Sequence, residues 1–180
     1  MPLSNNKTGY GSVAKFLHWL IFLLVLIMLP LGYFMQDIAD KSLQGQVINV
    51  HKLIGLSILV LMILRGLWAL SNVKPALHHL PTWQRLGERA VHWLIYIALI
   101  TMPIVGWIGS SAAGYYPHLG SLRFALPVPR SKEIDDVSFS IHNTLAIVII
   151  VLISIHILAA LYHYFVKKDN VLQRMLPVKN

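Results

Sequence analysis

The sequence predicts an all-α membrane protein: a four-transmembrane-helix bundle with both termini in the cytoplasm. Of its 180 residues, 56% are hydrophobic and only 12% are charged, whereas a soluble domain usually carries about a quarter charged residues. Four apolar stretches are each long enough to cross the roughly 30 Å hydrocarbon core of a bilayer as a helix. Lysine and arginine are distributed unequally between the connections, and this asymmetry predicts the orientation.

The predicted spans follow one another along the whole chain, which is expected to form a single membrane-embedded domain over residues 1–180. They cover about 14–35, 47–70, 90–112 and 138–166. The connection between the second and third spans is polar, and its last part is predicted to start an interfacial helix with Thr82 as its cap. The longer connection between the third and fourth spans, 114–137, is predicted to be a solvated loop.

The basic residues fall mostly on one side of the predicted bundle. Ten of the fifteen lie near the two termini or around the connection between the second and third spans: Lys7, Lys15, Arg65, Lys74, Arg85, Arg89, Lys167, Lys168, Arg174 and Lys179. Because lysine and arginine accumulate in short cytoplasmic loops, this side is predicted to face the cytoplasm.

The sequence contains no cysteine, and its formal net charge at pH 7 is +8. Without thiolates the chain cannot hold a cysteine-ligated iron–sulfur cluster, a covalently attached c-type haem or a structural disulfide. In a membrane protein, basic cytoplasmic loops and acidic lipid account for the positive charge. Membrane lipid is therefore a predicted partner, and nucleic acid is not.

Nine histidines against seven acidic residues is an unusual ratio, and four of the histidines lie in the apolar spans at two matched depths. His142 and His156 are fourteen residues apart, so their imidazoles share one helix face about 21 Å apart along the axis. By depth, His51 is expected opposite His142, near the outer surface. His18 is expected opposite His156, near the inner surface. Ionisable residues inside the hydrocarbon are costly and usually mark a site.

Two imidazoles per site, with no carboxylate or thiolate, suit a haem iron held axially on both faces. A bare zinc or copper ion would require more ligands. Small residues one turn from each histidine leave room for a porphyrin; they are Ala14, Gly55, Ala146 and Ala160. His92 has Glu88 and Tyr96 at the equivalent positions, which favours His18 as the inner ligand. The alternatives are single histidines that hydrogen-bond between helices, and a structural bundle without a cofactor.

Other polar residues at these depths are candidates for supporting roles. Arg65 lies fourteen residues after His51, at the depth of the inner pair, and is predicted to pair with a haem propionate. Lys52 would serve a propionate of the outer haem. For His92 and His163, a supporting or headgroup role is as consistent with the sequence as ligation. The loop histidines are predicted to be solvated; they are His78, His79 and His118.

Four segments resemble the bacterial di-haem cytochrome b561 family, and the resemblance covers essentially the whole chain. They are FLHW around His18, HKLIGLSILVLMILR over 51–65, the spacing His156-x6-His163, and KDN-x-L-x-RM-x-P over 168–177. The resemblance implies an inner-membrane four-helix bundle with two haem b groups that exchanges electrons with ubiquinone. It also implies superoxide oxidase activity. Carried over by residue, His18 and His156 hold one haem iron, and His51 and His142 hold the other.

The family resemblance leads to a specific expectation for substrates. Superoxide would be oxidised to O2 at the outer face, attracted by the cationic side chains of Lys52, Arg123 and Arg130. Ubiquinone would be reduced, with His163 or Lys168 as candidate hydrogen-bond donors to its oxygens. The rival interpretation is a haem b membrane anchor that conducts electrons between a periplasmic redox protein and the quinone pool. In that case the apolar segment 124–129 would be a docking surface.

Overall fold

The computed structural model describes residues 2–7, 9–75 and 81–176, and four long helices dominate it. They are α1 (Ser12–Phe34), α2 (Lys41–Ser71), α3 (Thr82–Ala112) and α4 (Lys132–Tyr162). A 3-10 turn, Met35–Asp37, follows α1, and a π-helical turn, His163–Lys167, follows α4. All four helices are long and apolar enough to cross a membrane. The predicted four-helix membrane bundle is confirmed.

The core of the bundle is a central apolar layer to which every helix contributes two side chains. It consists of Ile21, Val25, Ile58, Met62, Ala98, Leu99, Ile149 and Leu152. Large apolar side chains also cover the outside of the helices; Ile147 is 66% exposed and Leu158 is 65% exposed. An apolar surface of this extent is expected where the surrounding solvent is lipid.

Two helices, α2 and α4, begin earlier than their predicted spans because polar caps extend them beyond the hydrocarbon. The Asp40 carboxylate accepts hydrogen bonds from the backbone N–H groups of Ser42 (2.8 Å) and Leu43 (3.0 Å), which starts α2 at Lys41. The Ser131 hydroxyl accepts from the N–H of Ile134 and starts α4 at Lys132. The prediction that Thr82 caps α3 is wrong: Pro81 occupies the N-cap position and Thr82 is already helical.

The connection between α3 and α4, which was predicted to be a solvated loop, contains a small exposed hairpin. Strands β1 (His118–Leu119) and β2 (Leu122–Arg123) pair antiparallel across a turn at Gly120, whose φ is +59°. The Asn49 side chain of α2 exchanges two hydrogen bonds of 2.9 Å with the backbone of His118. Trp107 of α3 donates from Nε1 to the carbonyl of Phe124 at 2.8 Å. We call this end of the bundle the hairpin end.

The opposite end of the bundle, which we call the terminal end, is closed by the segments that flank α1 and α4. Residues 168–176 turn back beneath the helices, and Trp19 Nε1 donates to the carbonyl of Met175 at 2.8 Å. Tyr10, which precedes α1, is half-buried. Its burial raises the pKa of the Tyr10 phenol, and the nearby Glu88 carboxylate adds to the effect.

Candidate haem sites

The structure brings His51 and His142 together at the hairpin end. Their ring centroids are 6.3 Å apart, with the ring planes inclined by 64°. His142 Nδ1 lies 3.1 Å from the carbonyl oxygen of Met102. Because a carbonyl only accepts, Nδ1 carries the proton and Nε2 has its lone pair free for a metal. His51 Nδ1 is buried and has no hydrogen-bond partner among the described residues. An orphaned polar atom of this kind is expected where a bound group is needed to complete the site.

The second predicted pair, His18 and His156, is brought together near the terminal end. The two ring centroids are 6.1 Å apart, with an interplanar angle of 57°. His92 approaches the same site from α3, with its ring centroid 5.0 Å from that of His156. His92 Nδ1 is 2.7 Å from the carbonyl oxygen of Glu88 and 3.0 Å from its carboxylate. The terminal-end site therefore contains three histidines.

The ring separations show which histidines leave room for a metal between them. Metal–imidazole bonds are about 2 Å long, so two rings on opposite sides of one ion have centroids about 6 Å apart. The separations of 6.1 and 6.3 Å match this value. The His92–His156 separation of 5.0 Å instead describes direct edge-to-face contact. No cluster of three or more histidine, cysteine or acidic ligands with metal-binding geometry occurs among the residues described. A pair of imidazoles at this separation is compatible with ligation of a haem iron.

Two glycines that the sequence interpretation did not single out lie against the hairpin-end pair. A Cβ atom at Gly106 of α3 would lie 2.9 Å from His142 Nδ1, and one at Gly32 of α1 would lie 3.0 Å from His51 Cε1. At Gly55, which was singled out, a Cβ atom would meet its neighbours only at 3.9 Å. Glycine inside a helix costs about 1 kcal/mol relative to alanine. The presence of glycine inside two predicted helices, despite this cost, was the sequence signal that could have indicated a packing role for Gly32 and Gly106.

A cavity lies between the helices at the terminal-end site, and Arg65 lines it together with His18 and His156. The volume of this cavity is about 70 Å³. Arg65 Nε donates to the hydroxyl of Tyr96 at 3.0 Å. The predicted neighbourhood of Arg65 is thus observed, and its guanidinium lies where it would meet an acidic group of a ligand bound between the helices.

The other predicted site residues are distributed over both ends. At the hairpin end, Lys52 is half-buried and its Nζ donates to the carbonyl of Tyr115 at 2.7 Å. Arg123 is exposed on β2. The exposed Arg130 packs its guanidinium against Gly114, whose φ is +81°. No described hydrogen bond or ion pair joins Arg123 or Arg130 to the histidine pair.

At the terminal end, His163 Nδ1 lies 2.6 Å from Asp169 Oδ2. Lys168, the neighbour of Asp169, is exposed and adopts a left-handed conformation with φ +53°. Among the loop histidines, His118 is exposed, as predicted. His78 and His79 lie outside the described residues.

A membrane bundle with imidazole pairs at two depths, and no thiolate anywhere in its sequence, has the features of a b-type membrane cytochrome. Residues 9–178 match the family described as prokaryotic cytochrome b561, and the chain belongs to that family. The chain is therefore a multi-pass protein of the bacterial inner membrane that binds haem b and transfers electrons. The family resemblance found in the sequence is confirmed.

Three relatives match almost the full length of the chain. One is named probable superoxide oxidase CybB, from Yersinia pestis; it is 34% identical over 94% of this chain and 97% of its own length. Two come from Escherichia coli strain K12. Cytochrome b561 homolog 2 is 29% identical over 98% of this chain and 95% of its own, and cytochrome b561 homolog 1 is 30% identical over 93% and 97%.

Proposed function

We propose that the chain is a di-haem superoxide:ubiquinone oxidoreductase. Two superoxide anions would each lose one electron and become O2 at the periplasmic face. The two electrons, with two protons, would convert one ubiquinone into ubiquinol. The observation that carries the proposal is the presence of two histidine pairs with metal-compatible separations of 6.1 and 6.3 Å.

The positions of the two pairs support the transfer of electrons across the membrane. His142 and His156 lie about 21 Å apart along α4, most of the thickness of the hydrocarbon. The apolar core layer lies between them, because Ile149 and Leu152 fall in the intervening turns. Two redox centres at these depths would let an electron cross the membrane in several short transfers in place of a single long one. The whole chain would act as the single membrane-embedded domain that the sequence predicts.

In this proposal each residue has a role that follows from its contacts. His51 and His142 would hold the haem at the hairpin end, and His18 and His156 would hold the second one. Haem b supplies a reversible one-electron Fe(III)/Fe(II) couple when it is bound. Met102 holds the His142 ring in the tautomer that leaves Nε2 free. Arg65 would neutralise a propionate in the cavity, where an unpaired cation would be costly.

Superoxide as the donor is supported by charge and by the name of one relative. The positive-inside rule predicts that the hairpin end, with Lys52, Arg123 and Arg130, faces the periplasm. Exposed cations at that end would raise the local concentration of a small anion. The Yersinia relative is named a probable superoxide oxidase. His163 and Lys168, both at the terminal end, are the candidates for binding the oxygens of ubiquinone.

The experiment that tests this proposal is a pulse of superoxide mixed with the purified, oxidised protein while the haem absorbance is followed. Fast reduction is expected, followed by reoxidation when a ubiquinone analogue is added. An oxidised spectrum that superoxide leaves unchanged would refute the proposed donor. The haem content per chain, measured on the same sample, is expected to be two.

The alternative function is a haem b anchor that passes electrons between a periplasmic redox protein and the quinone pool. The observation that favours it is the exposure of Leu119 (67%) and Leu122 (57%) on the hairpin. Exposed apolar residues of this kind often belong to a contact surface. The segment 124–129 supports it less, because Phe124, Leu126 and Val128 are half-buried against the bundle. Superoxide reactivity of the isolated chain distinguishes the two functions.

A further inference from the structure

A short contact joins the end of α4 to the segment that follows it, and the electron-transfer role described above does not use it. His163 Nδ1 lies 2.6 Å from Asp169 Oδ2, and the two side chains are only 12% and 19% exposed. The second carboxylate oxygen, Oδ1, accepts from the N–H of Val171 at 3.1 Å. The backbone N–H of Asp169 donates to the carbonyl of His163 at 3.2 Å. The carboxylate is therefore held in one orientation, with one oxygen directed at the imidazole.

The helix geometry places this contact beneath the terminal-end histidine pair. His163 begins the π-helical turn after α4 and follows His156 by seven residues, about two helical turns. The two imidazoles are therefore expected on the same side of the chain, about 10 Å apart along the axis. The segment that carries Asp169 returns towards α1, where its Met175 carbonyl accepts from Trp19. The Trp19 ring is itself in contact with His18, at a centroid separation of 5.4 Å. His163 thus lies between the terminal-end pair and the C-terminal segment that carries Asp169.

We propose that Asp169 is a positioning residue that aims His163 at a bound quinone and supports it as a proton donor. This inference rests on the proposed function, because it assigns the proton step of the same quinone reduction. Reduction of a quinone to a quinol takes up two electrons and two protons. In our proposal the Nε2–H bond of protonated His163 breaks and a new O–H bond forms on the reduced quinone. Water at the terminal end then returns the proton to Nε2.

The carboxylate contributes to this step in two ways. It accepts the Nδ1–H, which fixes the ring so that Nε2 is the nitrogen available to a ligand. It also holds the Nδ1–H while Nε2 gives up and regains its proton, and a charge-assisted hydrogen bond is about twice as strong as a neutral one. A histidine held by a carboxylate is a recurring arrangement for proton transfer. Here the carboxylate belongs to the KDN segment, over 168–170, that was singled out in the sequence.

The test compares two electron acceptors, one that needs protons and one that does not. Chemically reduced holoprotein is mixed with a water-soluble ubiquinone analogue or with ferricyanide, and its reoxidation is followed by haem absorbance. The variants are Asp169→Asn, Asp169→Glu and His163→Phe. The matched control is Asp136→Asn, which removes the exposed Lys132–Asp136 pair of 3.0 Å at the hairpin end. The haem content of each protein is measured first.

Asp169→Asn is expected to lower the kcat for quinone reduction about 10- to 100-fold, the range that applies when a carboxylate orienting a metal-bound imidazole is lost. His163→Phe is expected to lower it about 100-fold or more, the scale of a lost general acid. KM for the quinone should change much less in Asp169→Asn. Ferricyanide rates should equal those of the wild type in every variant, and Asp169→Glu should recover part of the quinone rate. Asp136→Asn should be unchanged with both acceptors.

Two results would overturn the inference. One is an Asp169→Asn protein whose ratio of quinone to ferricyanide rates equals that of the wild type. The other is loss of haem in both Asp169 variants, which would mean that the His163–Asp169 contact only stabilises the fold of the C-terminal turn. Failure of the proposed function gives a different result. In that case the wild-type protein itself would reduce ferricyanide but not the quinone.

Discussion

Gly106 allows a specific test of the hairpin-end site, because a methyl group added there would clash with His142, one of the two proposed haem ligands at that site. In Gly106→Ala the new Cβ would lie 2.9 Å from His142 Nδ1 and 3.0 Å from Cε1. Ordinary van der Waals contact begins at 3.4 Å. The imidazole must therefore withdraw by about 0.5 Å, whereas metal–ligand distances tolerate only about 0.2 Å.

The expected magnitude follows from the cost of overpacking. Inserting a methyl group into a packed site costs about 1–3 kcal/mol, which corresponds to about 5- to 150-fold weaker binding of the haem at that site. The helix itself should not suffer, because alanine is favoured over glycine in a helix interior by about 1 kcal/mol. We expect Gly106→Ala to retain its fold and the terminal-end haem while losing most of the hairpin-end haem.

The assay is the haem content per chain together with a reduced-minus-oxidised difference spectrum. The matched control is Gly45→Ala near the start of α2, where the added Cβ would meet no atom within 4 Å and should leave both haems bound. If Gly106→Ala keeps two haems with an unchanged spectrum, the assignment of His142 as an axial ligand at this site is incorrect.

Three further predictions concern the histidine pairs, the cationic residues at the hairpin end and the orientation in the membrane. His142→Ala and His156→Ala should each remove one haem, and the double variant should be colourless; a double variant with full pigment would contradict the pairing. Joint replacement of Lys52, Arg123 and Arg130 by glutamine should slow reduction by superoxide and weaken its dependence on ionic strength. An unchanged rate at low salt would exclude electrostatic steering. A reporter that is active only in the cytoplasm should be active when it is fused to either terminus. Activity of a periplasm-specific reporter at one of the termini would contradict the predicted orientation.

The sequence was informative about the histidine pairs because helical periodicity and membrane depth together restrict which residues can meet. Once His142 and His156 were placed on one face of α4, only histidines at matching depths were available as partners. His18 and His51 satisfied that condition, and the structure brings each of them to the expected partner. His92 was less predictable, since it shares the depth of His18 and only the packing of α3 against α4 decides that it contacts His156 directly.

The helix ends and the hairpin were predicted less well for a physical reason. Hydropathy reports where hydrocarbon begins, whereas a helix ends where its backbone hydrogen bonds are capped. Asp40 and Ser131 therefore extend α2 and α4 into the polar region. The apolar pattern of the sequence does not reach these first turns and could not predict them. The hairpin is anchored by Asn49 and Trp107, whose partners are backbone atoms distant in the sequence. Contacts between residues so far apart along the chain have no signature in the local sequence from which the hairpin could be predicted.

Composition, periodicity and residue type by themselves determined that this chain crosses a membrane four times and carries imidazoles at two depths. These properties depend on the solvent and on the geometry of a single helix. The tertiary structure alone decided which glycines lie against the histidine rings, that Arg65 meets Tyr96, and that Asp169 holds His163. These contacts depend on how helices and loops rotate and approach one another, and that arrangement exists only once the bundle has packed.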